Sequence, residues 1–222
     1  MKVRTVEQLF DALAQDLVWR KKELTALTQL TAFAKSAPSR EEALLRASVT
    51  LLYAHWEGFI KFAALRYAEF VALQRLKYEE LSTPFLTLAT RSLLRGASSS
   101  DRIDSHLAIT SFYMTDLAKQ SSIPYKDAIS TQANLSSRVL YEITKTLGLD
   151  STSFETKARL IDTSLVAERN TIAHGEYLSI DLAGYEALKG EIVGLMEQFF
   201  NQVSNAAVSK DFRRVVRPPP TT

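Results

Sequence analysis

Residues 45–70, LRASVTLLYAHWEGFIKFAALRYAEF, decide the fold class. Leu45, Val49, Leu52, Trp56, Phe59, Ala63, Tyr67 and Phe70 follow one another by fours and threes without a break, which is the period of one helix face. A second row, Leu51, Gly58, Phe62 and Leu65, lies beside the first. A helix with two adjacent apolar rows is expected to be buried over more than half its circumference. The pattern extends over about residues 40–78 and reads as the central element of a bundle.

Upstream, residues 6–34 carry Phe10, Leu13, Leu17, Leu24, Leu27 and Leu30 at helical spacing, and Pro38 with Ser39 interrupts the pattern. Downstream the order loosens. Pro84–Leu94 predicts a short helix, 96–100 a loop, Ile103–Lys119 another helix, and 120–132 a loop containing Pro124. Asn134 is placed as an N-cap ahead of Leu135–Leu147, with Gly148 as a left-handed C-cap. Thr152 and Glu155 have capping-box spacing and open a helix to about Ala173, ended by Gly175. A last amphipathic helix over 182–205 carries Leu182, Tyr185, Leu188, Ile192, Leu195, Phe199 and Val203. The expected organisation is one helical domain over 1–207 and a basic, Pro-rich flexible tail over 208–222, with Arg213, Arg214 and Arg217 ahead of three prolines.

Composition supports an all-α protein. Seven Gly and six Pro make about 6% of 222 residues, where an average protein carries roughly 12%. A hairpin-rich β fold needs more turn residues than that. The absence of cysteine excludes disulfides, thiolate metal sites and a cysteine nucleophile, and with only three histidines no metal or other cofactor is expected. No run of 18 apolar residues is present, so no membrane association is expected, and the charged first ten residues do not read as a signal peptide. A cytoplasmic location is the expectation. With 27 Lys plus Arg against 25 Asp plus Glu, affinity for nucleic acid has to come from a local patch.

One place invites chemistry. The stripe Phe154, Ala158, Ile161, Leu165 continues at Ile172, and the position between them, four after Leu165, is Arg169. The pattern therefore puts a guanidinium on or beside a buried face. An unpaired buried charge costs several kcal/mol, so Arg169 needs a partner, a wet cleft or a ligand. His174 follows five residues later, about 140° around the helix, and the two converge only if the helix ends near His174 or if two copies of the chain meet there. Arginine suits a phosphate, and histidine suits proton transfer near neutral pH. Together, without metal ligands, they match the needs of RNA transesterification through the 2′-hydroxyl. The bland alternatives are an ion pair of Arg169 with Glu168, Asp162 or an acidic group on another helix, and a histidine that merely caps its helix.

The segment Glu168-Arg169-Asn170-Thr171-Ile172-Ala173-His174 resembles the R-N-x-x-x-H form of the HEPN superfamily motif. Leu52-Tyr53-Ala54-His55-Trp56-Glu57-Gly58-Phe59 and Asn134-Leu135-Ser136-Ser137-Arg138-Val139-Leu140, with the helix end Leu147-Gly148-Leu149, are similar to a bacterial MAE-type branch related to the RiboL-PSP group. The resemblance covers about residues 40–205. It implies a HEPN-like bundle with a long central helix and extra short helices in the middle, active as a metal-independent endoribonuclease at a composite homodimer site. RNA is then the substrate, and a toxin or defence role implies an antitoxin or defence-system partner. Carried over by position, Arg169 and His174 form the catalytic pair, and Asn170 and Glu168 support it. His55, Glu57, Glu176 and Tyr177 are further candidates to line or back the cleft. The resemblance leaves open a non-catalytic module that binds nucleotide, RNA or a protein partner.

Overall fold

In the computed structural model, residues 2–99, 102–131 and 134–215 are described here. Among them the architecture is all-α, with no strand and only two isolated antiparallel bridges, Lys77 to Gln120 and Leu81 to Arg213. Three long helices pack on one another and form the core: α1 (Val6–Phe33), α2 (Pro38–Leu73) and α9 (Leu182–Ser209). Between α2 and α9 the chain adds shorter helices: α3 (Thr83–Ala89), α4 (Arg91–Ser98), α5 (Ile103–Ser111), α6 (Ser137–Leu147), α7 (Thr152–Glu155) and α8 (Ala167–Ala173).

The α2 stripe is buried throughout, with Val49, Leu52, Trp56, Phe59, Ala63 and Tyr67 fully inside. Tyr53, Ile60, Ala64, Ala68 and Val71 are buried beside it, so the helix is wrapped from several sides. The α1 stripe is corrected. Its buried line is Leu9, Leu13, Leu17, Arg20, Leu24, Thr28 and Thr31, while Phe10 and Leu30 are about half exposed. A buried arginine between Leu17 and Leu24 hides the true phase from an apolar count. Helix α2 also ends earlier than its pattern. The Gln74 amide donates to the Phe70 and Arg4 carbonyls, and Arg75 turns into the left-handed region at φ 54°.

In the middle, the expected Pro84–Leu94 helix is two helices, broken at Thr90, whose buried hydroxyl donates to the Leu86 carbonyl. The α4–α5 pair contributes no buried residue. The helix from Ile103 turns π-helical at Phe112–Asp116. The N-cap of α6 is Ser136 rather than Asn134, while Gly148 is left-handed at φ 68° as expected. The helix expected from Thr152 is segmented. The Thr152 hydroxyl is taken by Asp150, no side chain caps α7, and a π-helical segment, Leu160–Val166, leads into α8. The expected tail is corrected at its start. Phe212 is buried edge-on against Phe70, and Arg213 lies 3.7 Å from Glu80. The rest of that tail, from 216, lies outside the described residues.

At Gly58 the backbone of α2 comes close to the Arg20 side chain of α1. A Cβ there would stand 2.7 Å from Arg20 Nη1. That guanidinium is not free to move aside, because Asp16 holds Nε at 2.6 Å and the Trp19 ring lies 4.6 Å from its Cζ. Gly58→Ala gains up to about 1 kcal/mol of helix propensity, but overpacking costs roughly 1–3 kcal/mol. The variant is expected to be less stable than the parent by about 1 kcal/mol in a denaturant titration; unchanged or increased stability would show that Arg20 yields freely.

Candidate active site

Two α2 side chains set up the site by capturing both backbone polar groups of one residue, Leu135. The Tyr53 hydroxyl accepts the Leu135 N–H at 2.7 Å, and Trp56 Nε1 donates to the Leu135 carbonyl at 3.3 Å. Tyr53 and Trp56 are three residues apart and share a helix face, so they grip both polar groups of a fully buried residue that lies before α6. Asn134 is fixed as a consequence. Its Oδ1 accepts from the Tyr53 hydroxyl at 3.3 Å and from Arg169 Nη2 at 2.8 Å.

Arg169 reaches this point from α8. Its Cζ lies 3.8 Å from the centre of the Tyr53 ring, a close cation–π contact, and its Nε is buried without a hydrogen-bond partner. The alternative ion pair with Asp162 does not form, because that carboxylate accepts the Ser137 N–H and hydroxyl at 2.8 and 2.6 Å. Glu168 is not with Arg169 either. It sits one residue earlier, about 100° around the helix, and lines a groove against α9 with Leu160, Ser164 and Ile180. Burial there raises its carboxyl above the usual range, and Oε2 has no partner. The guanidinium is thus held by a neutral amide and a neutral ring. Glu57, one turn after Tyr53, lies beside the phenol. Burial raises the Tyr53 hydroxyl, the Leu135 N–H and the Arg169 charge pull it down, and Glu57 adds to the rise.

Helix α8 ends at Ala173, and His174 is its cap residue, exposed, with its N–H donated to the Asn170 carbonyl at 2.9 Å. Gly175 at φ 79° then reverses the chain, and the Glu176 N–H reaches back to the Thr171 carbonyl at 3.0 Å. The helix end expected at His174 is present. Among the described residues no hydrogen bond joins Arg169 to His174: the first turns inward onto α2, and the second stands at the surface. Asn170, half-buried between them, contributes the carbonyl that closes the last turn.

The loop beyond is tied to the first half of α2. The Glu176 carbonyl accepts from Arg46 Nη2 at 3.0 Å, and the Tyr177 hydroxyl donates to Glu42. Since Arg169 meets Tyr53 and Tyr177 meets Glu42, α8 and its loop run antiparallel to α2. His174 therefore emerges beside the stretch of α2 between Arg46 and Tyr53. Of the further candidates, Glu57, Glu176 and Tyr177 border this strip and His55 does not. A residue two positions after Tyr53 points about 200° away, and His55 faces α1, where Nε2 lies 2.8 Å from Glu23 and the ring packs edge-on against Trp19. Apolar counting overlooked Tyr53 as a site residue because it looks like core, and Asn134 because it looks like a cap. Arg46 carried no signal beyond charge. Among the described residues no three His, Cys, Asp or Glu side chains gather as a metal site, and no helix is long and apolar enough to cross a membrane.

The His55 contact has a pH signature. Burial, then the Arg20 charge, hold its pKa below the ordinary 6.5 despite Glu23. The unfolded chain therefore takes up the proton first on acidification, and stability falls as pH drops below about 6.5. His55→Gln is expected to lose less stability than the parent between about pH 7.5 and 5 in denaturant titrations. Parallel curves for the two proteins would contradict a neutral buried His55.

A family model described as RiboL-PSP-HEPN matches residues 15–205. Comparison with curated proteins and with solved structures yields no match.

Proposed function

The chain belongs to the RiboL-PSP-HEPN family, and from that membership and the setting of Arg169 we propose that it is a metal-independent endoribonuclease acting as a homodimer. The observation that carries the reading is the neutral seat of the guanidinium. Asn134 and the Tyr53 ring orient Arg169, and among the described residues no carboxylate forms an ion pair with it. An oriented, uncancelled arginine is suited to the charge that builds on a phosphate during transesterification.

In the proposed reaction a histidine removes the proton of a 2′-hydroxyl, and the oxygen attacks the adjacent phosphorus. The new 2′-O–P bond forms as the P–O5′ bond breaks, the leaving oxygen takes a proton, and a 2′,3′-cyclic phosphate remains. Arg169 stabilises the charge on the pentacoordinate phosphorus. His174 is the base or the acid, and the same residue of a second copy supplies the other role, which suits a histidine exposed at a helix end. A toxin or defence function, restrained by a partner, accords with the resemblance. The second reading, a module that binds RNA or nucleotide without cutting, draws on the lack of a bond between Arg169 and His174 within one chain.

The test is incubation of the parent, Arg169→Ala and His174→Ala with a mixed RNA pool in EDTA, followed by analysis of fragment ends. The parent is expected to leave 2′,3′-cyclic or 3′-phosphate ends. Each variant should keep its fold and lose at least about a hundredfold in rate. RNA held without fragments would favour the binding module, and equal cleavage by parent and variants would remove both residues from the chemistry.

A further inference from the structure

Tyr177 is 70% exposed, yet its hydroxyl is bonded and a guanidinium lies near its ring. Its hydroxyl donates to the Glu42 carboxylate, which raises the phenol above its ordinary value, and the Arg46 guanidinium carbon lies 5.9 Å from its ring centre. Arg46 is itself fixed by its bond to the Glu176 carbonyl. An aromatic ring on a surface loop is ordinarily free to change rotamer; this one is braced from α2 and leaves most of its surface to solvent. It comes three residues after His174, on the strip of α2 that also receives Arg169.

A braced, exposed ring three residues after the candidate histidine, with the seat of Arg169 about three helical turns further along α2, has the chemistry of a base-stacking platform on the path of a bound strand. Every nucleobase has a π-face, stacking tolerates sequence, and a ring already held in place loses little freedom on binding. A base inside a duplex has both faces covered by its neighbours and cannot use such a ring. We propose that Tyr177, positioned by Glu42 and Arg46, stacks on an unpaired base of the strand that flanks the scissile phosphate, so that the substrate is single-stranded RNA. This inference builds on the endoribonuclease reading and names the substrate class for the same site.

The experiment uses the full chain with His174→Ala to prevent cleavage, and measures anisotropy of a labelled RNA oligonucleotide as a single strand and annealed to its complement. Tyr177→Ala is expected to weaken the single strand about five- to a hundredfold with the thermal midpoint unchanged. Tyr177→Trp is expected to bind at least as well as the parent, and Arg46→Ala to fall between. The duplex is expected to bind more weakly and to be indifferent to residue 177. Equal binding by Tyr177→Ala, or a duplex bound as tightly as the strand, would overturn the platform. Cleavage by the otherwise unaltered protein is followed in parallel. If it cuts RNA while Tyr177→Ala behaves identically, the platform falls and the nuclease stands. If it binds without cutting, the nuclease reading falls and the binding comparison alone decides the platform. If it does neither, both fall.

Discussion

The contact on which the site depends is the seat of Arg169 between the Tyr53 ring and Asn134 Oδ1. It ties together three parts of the chain that are far apart in sequence. Tyr53 belongs to the central helix, Asn134 to the strap before α6, and Arg169 to the short helix α8. The strap can offer Asn134 only because Tyr53 and Trp56 satisfy both the N–H and the carbonyl of the buried residue Leu135. A buried peptide unit left unpaired would cost as much as a lost hydrogen bond or more. The same two α2 side chains thus close the core and aim the guanidinium.

The charge balance around that contact is not that of a structural ion pair, which is what the proposed role of Arg169 rests on. Acidic groups are near in sequence, but neither Asp162 nor Glu168 is paired with the guanidinium. Asp162 caps the start of α6, and Glu168 faces the α9 groove. A cation–π contact and one amide hydrogen bond hold the arginine in place while leaving it to seek an anion. The cost of keeping such a charge half-buried is expected at a functional position.

Much of this was legible in the residues. The unbroken four-three stepping from Leu45 to Phe70 defined the central helix, and Gly148 and Gly175 marked two helix ends correctly. Arg169 stood out because it occupies a place in an apolar stripe. Other features were hidden for physical reasons. Arg20 is buried through its pair with Asp16 and its packing on Trp19, so an apolar count placed the α1 stripe on Phe10 and Leu30. The π-helical turn at Leu160–Val166 and the loss of Thr152 to Asp150 follow from local competition that spacing does not reveal. His55 lies only two residues after Tyr53 in the motif-like stretch, but helix geometry sends them to opposite sides. Asn134 was read as a cap because its true partner is an arginine 35 residues away.

The most direct test of the account is to measure, on the same Arg169→Ala protein, both folding stability and affinity for a non-cleavable 2′-O-methyl RNA. If Arg169 is held ready for a phosphate, affinity should fall at least about tenfold, and the residual binding should show a shallower salt dependence, while stability changes by no more than about 1 kcal/mol. Unchanged affinity together with a loss of several kcal/mol in stability would make Arg169 a structural residue and contradict the account.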